Sequence, residues 1–78
     1  MADSKKLREH ILKSGLKYKY IAQKLGITSA GLKLKIDNVN EFKINEVNML
    51  CIILGIDDLN IKEDIFFDSV LNSIQHKW

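Results

Sequence analysis

Apolar residues recur at steps of three and four positions along most of the chain, which is the spacing of one face of an α-helix. Glycine is sparse, proline is absent, and β-branched residues rarely alternate with polar ones as they do in strands. At 78 residues the chain has the length of one small domain. The pattern therefore predicts an all-α fold of five helices joined by short turns, with residues 1–78 forming a single domain.

The first predicted helix is amphipathic and has a stop signal at its end. It starts at Ser4, whose hydroxyl suits an N-cap, and it ends at Gly15, which suits a left-handed C-cap. Leu7, Ile11 and Leu12 lie at helical spacing between these two positions. We expect this apolar face to contribute to the core.

The second and third predicted helices are short and are separated by a glycine. The second covers residues 18–25 and ends at Gly26, and the third follows at once with Thr28 as its N-cap. Leu32 and Ile36 are expected to face inward on the third helix because they are four residues apart. Helices of about two turns are unstable alone, so packing onto their neighbours must hold this pair.

Gly31 lies in the middle of the third predicted helix, where glycine costs about 1 kcal/mol relative to alanine. We expect the missing side chain to make room for another backbone. The second helix is the expected neighbour, ahead of a DNA phosphate.

The fourth predicted helix follows a polar connection over residues 37–43, in which Phe42 is the expected core anchor. The helix ends at Gly55, and its large apolar share predicts the most buried helix of the fold. Its apolar positions are Ile44, Val47, Leu50, Cys51 and Leu54.

The fifth helix is predicted over about residues 61–76, with Asn60 and Glu63 arranged as a capping box. Its apolar stripe consists of Phe66, Phe67, Val70, Leu71, Ile74 and Trp78. This stripe has more apolar bulk than one helix needs to cover a four-helix core, so part of it is expected to meet another chain. The predicted association residues are Phe67, Leu71, Ile74 and Trp78. The alternative is that the whole stripe covers the core of the monomer.

The charge differs in sign between the two parts of the chain. Residues 1–43 hold ten Lys and Arg against four Asp and Glu, a charge of +6, and residues 44–78 hold two against six, a charge of −4. Such asymmetry favours contact with a polyanion at one end of the molecule. The alternative is that the lysines only solvate helix faces.

Residues suited to catalysis or metal binding are scarce. The single cysteine, Cys51, lies in an apolar run, which excludes an internal disulfide, argues against a cysteine-based zinc site and predicts a core residue. His10 and His76 have no ligand partner at helical spacing, and the carboxylates show no pairing suited to acid–base catalysis. A chain this short encloses no large pocket. The sequence therefore predicts a binding module that is not an enzyme and needs no cofactor.

One continuous stretch carries a family resemblance. Residues 15–55, GLKYKYIAQKLGITSAGLKLKIDNVNEFKINEVNMLCIILG, are similar to the lambda-repressor-like (Xre/Cro) helix-turn-helix family, and especially to its small phage-type members. Those members carry a similar IAxKLGIT..GL..KI core, followed by EFK and LC.IL. The resemblance implies a compact five-helix DNA-binding domain. It places a helix-turn-helix at about residues 18–36, with the third helix in the major groove.

The resemblance also implies which residues meet DNA. The groove-facing residues would be Thr28, Ser29, Ala30, Lys33 and Leu34, with Tyr18 reaching toward bases or phosphate. The residues over the DNA backbone would be Lys17, Lys19, Lys35, Asn38 and Asn40.

Two of these implications also follow from the residues themselves. Lys17 lies near the start of the second helix, where a positive charge opposes the helix dipole by about 0.3–1 kcal/mol unless a phosphate binds there. Lys33 and Lys35 lie between the inward-facing residues Leu32 and Ile36. Both lysines cannot also face inward, so at least one of them faces solvent or DNA.

The chain departs from the family at the positions that read bases. Family members often place Gln, Arg or Asn in the first exposed turn of the third helix, because these side chains form bidentate bonds to adenine or guanine. This chain has Ser29 and Ala30 there, and Leu34 adds an apolar group that suits a thymine methyl or a protein surface.

The expected function is that of a phage-type transcriptional regulator that binds double-stranded operator DNA in the cytosol of a bacterial host. The N-terminal stretch MADSKKLREH has no apolar core of the kind found in secretory signals, which favours this location. We expect a homodimer or a heteromer with a repressor protein. The alternative is an anti-repressor or modulator that binds a phage repressor and blocks or alters its DNA binding.

Overall fold

A computed structural model describes residues 2–67 of the chain. Five helices make up this part, and it contains no strand: α1 (Ser4–Ser14), α2 (Tyr18–Leu25), α3 (Ser29–Ile36), α4 (Ile44–Leu54) and α5 (Leu59–Phe66). The prediction of an all-α fold with five helices is confirmed. Within residues 2–67 no helix has both the length and the apolar character needed to cross a membrane.

The helix caps explain where the chain changes direction, and the predicted N-cap of α1 was wrong. The N-cap of α1 is Asp3, whose carboxylate accepts the Lys6 N–H at 3.0 Å. Ser4, the predicted cap, is the first helical residue, and its hydroxyl instead donates to the Ile36 carbonyl at the end of α3. Thr28 caps α3 as predicted, because its hydroxyl oxygen accepts the Gly31 N–H at 3.0 Å.

The start of α5 also differs from the prediction. Asp58 is the N-cap and accepts the Asn60 N–H at 2.8 Å, so the helix begins at Leu59 and the expected capping box of Asn60 and Glu63 does not form. The helix ends at Phe66, whereas the prediction continued it to about residue 76. Residues 68–76 of that prediction lie outside the described part of the chain.

All five helices contribute to one apolar core. Its buried members are Leu7, Ile11, Ile21, Ala22, Leu32, Ile36, Val47, Leu50, Cys51, Ile65 and Phe66. Cys51 is a core residue as predicted, and burial raises the pKa of its thiol. Phe42 is the expected anchor of the connection before α4, since its ring packs edge-on against Phe66 with 5.9 Å between centroids.

Two apolar residues that were expected to face the core are exposed instead. Leu12 is 82% exposed because Leu7 and Ile11, four residues apart, already define the inward face of α1, and the next position turns away from it. Ile44 is 67% exposed and is the first residue of α4, one turn before the buried part of that helix begins.

A tight turn joins α2 to α3. Gly26 has a φ of +74°, a conformation that glycine adopts without the steric cost of a side chain. This turn lets the Ile27 N–H donate to the Ala22 carbonyl at 3.0 Å, which closes the end of α2. Ala22 is buried, and α2 packs directly on α3. The two short helices are therefore held by each other and by the core beneath them.

Candidate nucleic-acid interface

The third helix has a buried side and an exposed side. Leu32 and Ile36 are fully buried, whereas Ala30, Lys33 and Leu34 are exposed. Lys33 and Leu34 follow Ala30 by three and four positions, so the three residues share one side of the helix. We call this side the outer face of α3. All three belong to the residues that the family resemblance places in the DNA groove, and that placement stays a prediction.

The start of α2 lies beside this outer face. The Nζ atom of Lys33 is 5.9 Å from the centroid of the Tyr18 ring, a cation–π distance that brings the two helices together at this point. Lys17 is the N-cap of α2 in an extended conformation, and its side chain makes no capping hydrogen bond. Lys17 and Lys19 are both exposed. The backbone N–H groups of the first turn and these lysines therefore present positive charge together.

Three lysines on this surface keep their charge uncompensated by neighbours. Across residues 2–67, no carboxylate lies within ion-pair distance of Lys17, Lys19 or Lys33. Lys24, at the other end of α2, lies over the ring of Tyr20 with 5.5 Å between Nζ and the ring centroid. The surface formed by Lys17, Tyr18, Lys19 and the outer face of α3 is called the basic face below.

Thr28 and Gly31 depend on each other at the start of α3. A side chain added at Gly31 would place its Cβ 3.1 Å from the Thr28 hydroxyl oxygen, and no atom of α2 lies within 4 Å of that point. The expected approach of the α2 backbone to Gly31 is therefore wrong. Glycine fits here because a larger residue would crowd the capping hydroxyl. Thr28 is exposed and Ser29 is half-buried.

Lys35 does not lie over the expected DNA backbone. Its ammonium donates to the carboxylate of Glu46 on α4, and the side chain of Lys35 is only 13% exposed. The prediction for Lys35 is corrected accordingly. Its position on α3 turns it toward α4, where its ammonium pairs with a buried carboxylate.

Glu46 is the partner that sequence reasoning missed. It is 5% exposed, and it also accepts the Lys43 N–H at 2.8 Å, which closes the first turn of α4. Burial alone would raise the pKa of its carboxyl group. The hydrogen bonds from Lys35 and Lys43 and the charges of both lysines outweigh burial, so the pKa of Glu46 lies below its ordinary value of 4.5. A charged residue among the apolar positions of the fourth predicted helix was the available signal.

Asn38 is also held inside the molecule. It has a φ of +63°, and its amide makes hydrogen bonds with the N-terminal segment: Oδ1 accepts the Ala2 N–H at 3.1 Å, and Nδ2 donates to the Ala2 carbonyl at 2.8 Å and to the Ser4 hydroxyl at 3.1 Å. We call Asn38, Ala2 and Ser4 the N-terminal clamp. The prediction that Asn38 lies over DNA is corrected, because this contact occupies its side chain. Asn40, two residues later, is exposed.

An ion pair that the sequence did not predict lies at the end of α3. Asp37 is the C-cap of this helix, and its carboxylate accepts from the guanidinium of Arg8 on α1. Both side chains are about half exposed, so the pair adds little to stability. The Asp37 carboxylate lies near Tyr18 and Lys33 of the basic face, and the positive charge of Arg8 offsets its negative charge there.

The predicted association residues are only partly within the described chain. Phe67 is half-buried, packs against the core, and has its ring centroid 6.4 Å from that of Phe66. Leu71, Ile74 and Trp78 lie outside the described residues. No group of three His, Cys, Asp or Glu side chains in the described part is placed to hold a metal ion.

No protein-family model, curated protein or solved structure matches this chain.

Proposed function

We propose that this protein binds double-stranded DNA through α2 and α3, as a phage-type transcriptional regulator of the helix-turn-helix kind in a bacterial cytosol. The observation that carries the proposal is the basic face. It combines three lysines without a carboxylate partner among residues 2–67, the start of one helix and the exposed side of the next. A phosphate backbone is the polyanion that such a surface fits.

The shape of this surface supports the proposal. An α-helix fits the major groove, which is about 12 Å wide, when one side of the helix projects from the protein. Ala30 and Leu34 on the outer face of α3 are compact enough to allow close approach of base edges. The start of α2 would then meet a phosphate, because backbone N–H groups at a helix N-terminus bind anions.

We further propose that operator binding uses a homodimer or a heteromer with a repressor protein. A two-fold pair would place two copies of α3 about 34 Å apart, one turn of DNA.

A second candidate function is supported by a groove away from the residues of the basic face. An open groove of about 400 Å³ lies between α4 and α5, and its walls include Ile52 at 74% exposure and Leu59 at 65%. Asp57 and Asp58 also line this groove. Exposed aliphatic side chains suit a protein partner, and the two carboxylates, which outnumber the one lysine of the lining, Lys62, repel phosphate. This groove therefore favours an anti-repressor or modulator that binds a repressor.

Salt-dependent binding separates the two functions. Affinity for short duplexes of mixed sequence is measured by fluorescence anisotropy between about 50 and 200 mM salt, where DNA affinity falls steeply if phosphates are contacted. The variant Lys17→Ala with Lys19→Ala should lose affinity and reduce the salt slope by about two. The matched control is Lys5→Ala with Lys13→Ala, which removes the same charge from exposed positions of α1.

The proposal is contradicted if the wild type fails to bind any duplex at the lowest salt, or if its affinity does not respond to salt. It is also contradicted if both double variants lose the same affinity, because net charge rather than the basic face would then explain binding.

A further inference from the structure

The outer face of α3 offers little hydrogen-bonding chemistry to a base edge. Of its three residues only Lys33 is polar, and Lys33 also lies over the Tyr18 ring. The Thr28 hydroxyl already accepts a backbone N–H as the cap of α3. No Asn, Gln or Arg lies on this face to make the paired hydrogen bonds that identify adenine or guanine. What remains is apolar, namely the methyl group of Ala30 and the side chain of Leu34, which is 42% exposed.

Thymine is the base that presents an apolar group in the major groove, because its C5-methyl projects there. We propose that α3 recognises its DNA site through thymine methyl groups that contact Ala30 and Leu34. This inference rests on the proposed function and specifies which base the basic face selects. Lys33, between the two apolar residues, supplies one donor for a guanine edge or a phosphate.

The spacing of the two residues predicts the pattern of thymines. Ala30 and Leu34 are four residues apart, so they are separated by about 6 Å along the axis of α3. Successive bases on one strand are about 3.4 Å apart. The two methyl contacts should therefore fall within two base-pair steps of each other, on the same or on opposite strands.

DNA fits this apolar surface better than a protein does. A stable protein interface buries about 800 Å² on each partner, which one leucine and one alanine beside a charged Lys33 do not provide. The more exposed aliphatic side chains of the described residues are at other positions, namely Leu12, Val39, Ile44, Ile52 and Leu59. Leu34 also lies outside the buried core, so a contact with DNA does not compete with its packing.

Uracil tests the inference directly, because it differs from thymine only in lacking the C5-methyl. A randomised duplex pool is first enriched on the wild-type protein, and the selected duplex is then synthesised with uracil in place of each thymine in turn. We expect a loss of affinity of about fourfold for each methyl contact removed, at one or two positions within two base-pair steps. Uracil at the remaining thymines should leave affinity unchanged.

Variants of Leu34 assign the contact. Leu34→Ala should abolish the sensitivity to uracil at one position, whereas Leu34→Met, which keeps an apolar side chain, should retain it. The matched control is Leu12→Ala, which removes an exposed leucine from α1 and should keep the full uracil response. Circular dichroism confirms that each variant is folded.

The outcomes separate this inference from the proposed function. If the protein binds DNA with a normal salt slope but no thymine responds to uracil, the methyl inference is overturned and DNA binding stands. If the protein binds no duplex, both are overturned. If Leu34→Ala leaves DNA affinity intact but weakens binding to a repressor protein, Leu34 belongs to a protein interface, which also overturns the inference.

Discussion

Lys33 and Lys35 occupy the two sides of α3, and their surroundings differ completely. Lys33 is exposed, with its Nζ atom 5.9 Å from the centroid of the Tyr18 ring, whereas Lys35 is covered and paired with a buried carboxylate. The same contrast holds for the leucines of this helix, since Leu32 is fully buried and Leu34 is 42% exposed. The outer face of α3 is therefore available for binding, and the side toward α4 stabilises the fold.

The largest expected difference between the two sides concerns the leucines. Leu32→Ala should lower the free energy of unfolding by about 2–5 kcal/mol, because it removes buried apolar atoms and leaves a cavity. Leu34→Ala should change it by less than about 0.5 kcal/mol, as is usual for exposed positions. Urea denaturation followed by circular dichroism measures both. Equal losses for the two variants would show that α3 packs with a different face.

The lysines should show the same contrast with a smaller effect. Lys35→Ala leaves the buried Glu46 carboxylate without its cation, and we expect a loss of about 3 kcal/mol in the free energy of unfolding. Lys33→Ala removes an exposed charge and should alter stability by less than about 0.5 kcal/mol. Urea denaturation midpoints of the two variants measure this difference. If Lys35→Ala is as stable as the wild type, the ion pair with Lys35 does not stabilise the buried Glu46.

Acid should weaken the contact between α3 and α4. The pKa of Glu46 is lower in the folded protein than its ordinary value of 4.5, so its contribution to stability is complete above pH 4.5 and is lost as the pH falls through the lowered value. Glu46→Gln lacks this contribution at every pH. The stability difference between wild type and Glu46→Gln should therefore shrink below pH 4.5, and a difference that stays constant into acid would rule out an ionised Glu46 as its source.

A further stability effect concerns the N-terminal clamp. Asn38→Gly removes the side-chain hydrogen bonds but tolerates the positive φ, and each bond lost should cost about 0.5–1.5 kcal/mol. Asn38→Ala should cost about 1 kcal/mol more, because alanine is strained in this conformation. Asn40→Gly, at an exposed neighbour, provides the control for glycine flexibility. Thermal unfolding of the three variants measures their order of stability. If Asn38→Ala is as stable as Asn38→Gly, the expected strain at position 38 is contradicted.

Much of the fold could be predicted because helical periodicity and glycine stops are local signals. The bounds of α2 and α3, the Thr28 cap and the buried residues Leu32 and Ile36 all follow from a few neighbouring positions. Leu12 shows the limit of this method, since one helical stripe does not reveal how wide the contact with the core is.

The candidate site was harder to predict because its polar residues depend on distant partners. Asn38 bonds to Ala2, which is 36 positions away in sequence, and Lys35 pairs with Glu46 across two different helices. Spacing within one helix does not show which charged group a neighbouring helix brings close. Sequence reasoning therefore assigned Lys35 and Asn38, at the end of α3, to DNA contact, although other parts of the fold occupy both side chains.

The salt dependence of DNA binding, measured for variants of both lysines, shows which side of α3 contacts DNA. Lys33→Ala should reduce the slope of log Kobs against log salt by about one, because one phosphate or base contact is lost from the basic face. Lys35 is removed together with its partner, as Lys35→Met with Glu46→Gln, so that no unpaired carboxylate stays buried and the glutamine can still accept the Lys43 N–H. We expect this double variant to keep the wild-type slope of log Kobs against log salt. A reduction as large as that of Lys33→Ala would contradict it, because Lys35 would then contact DNA instead of Glu46.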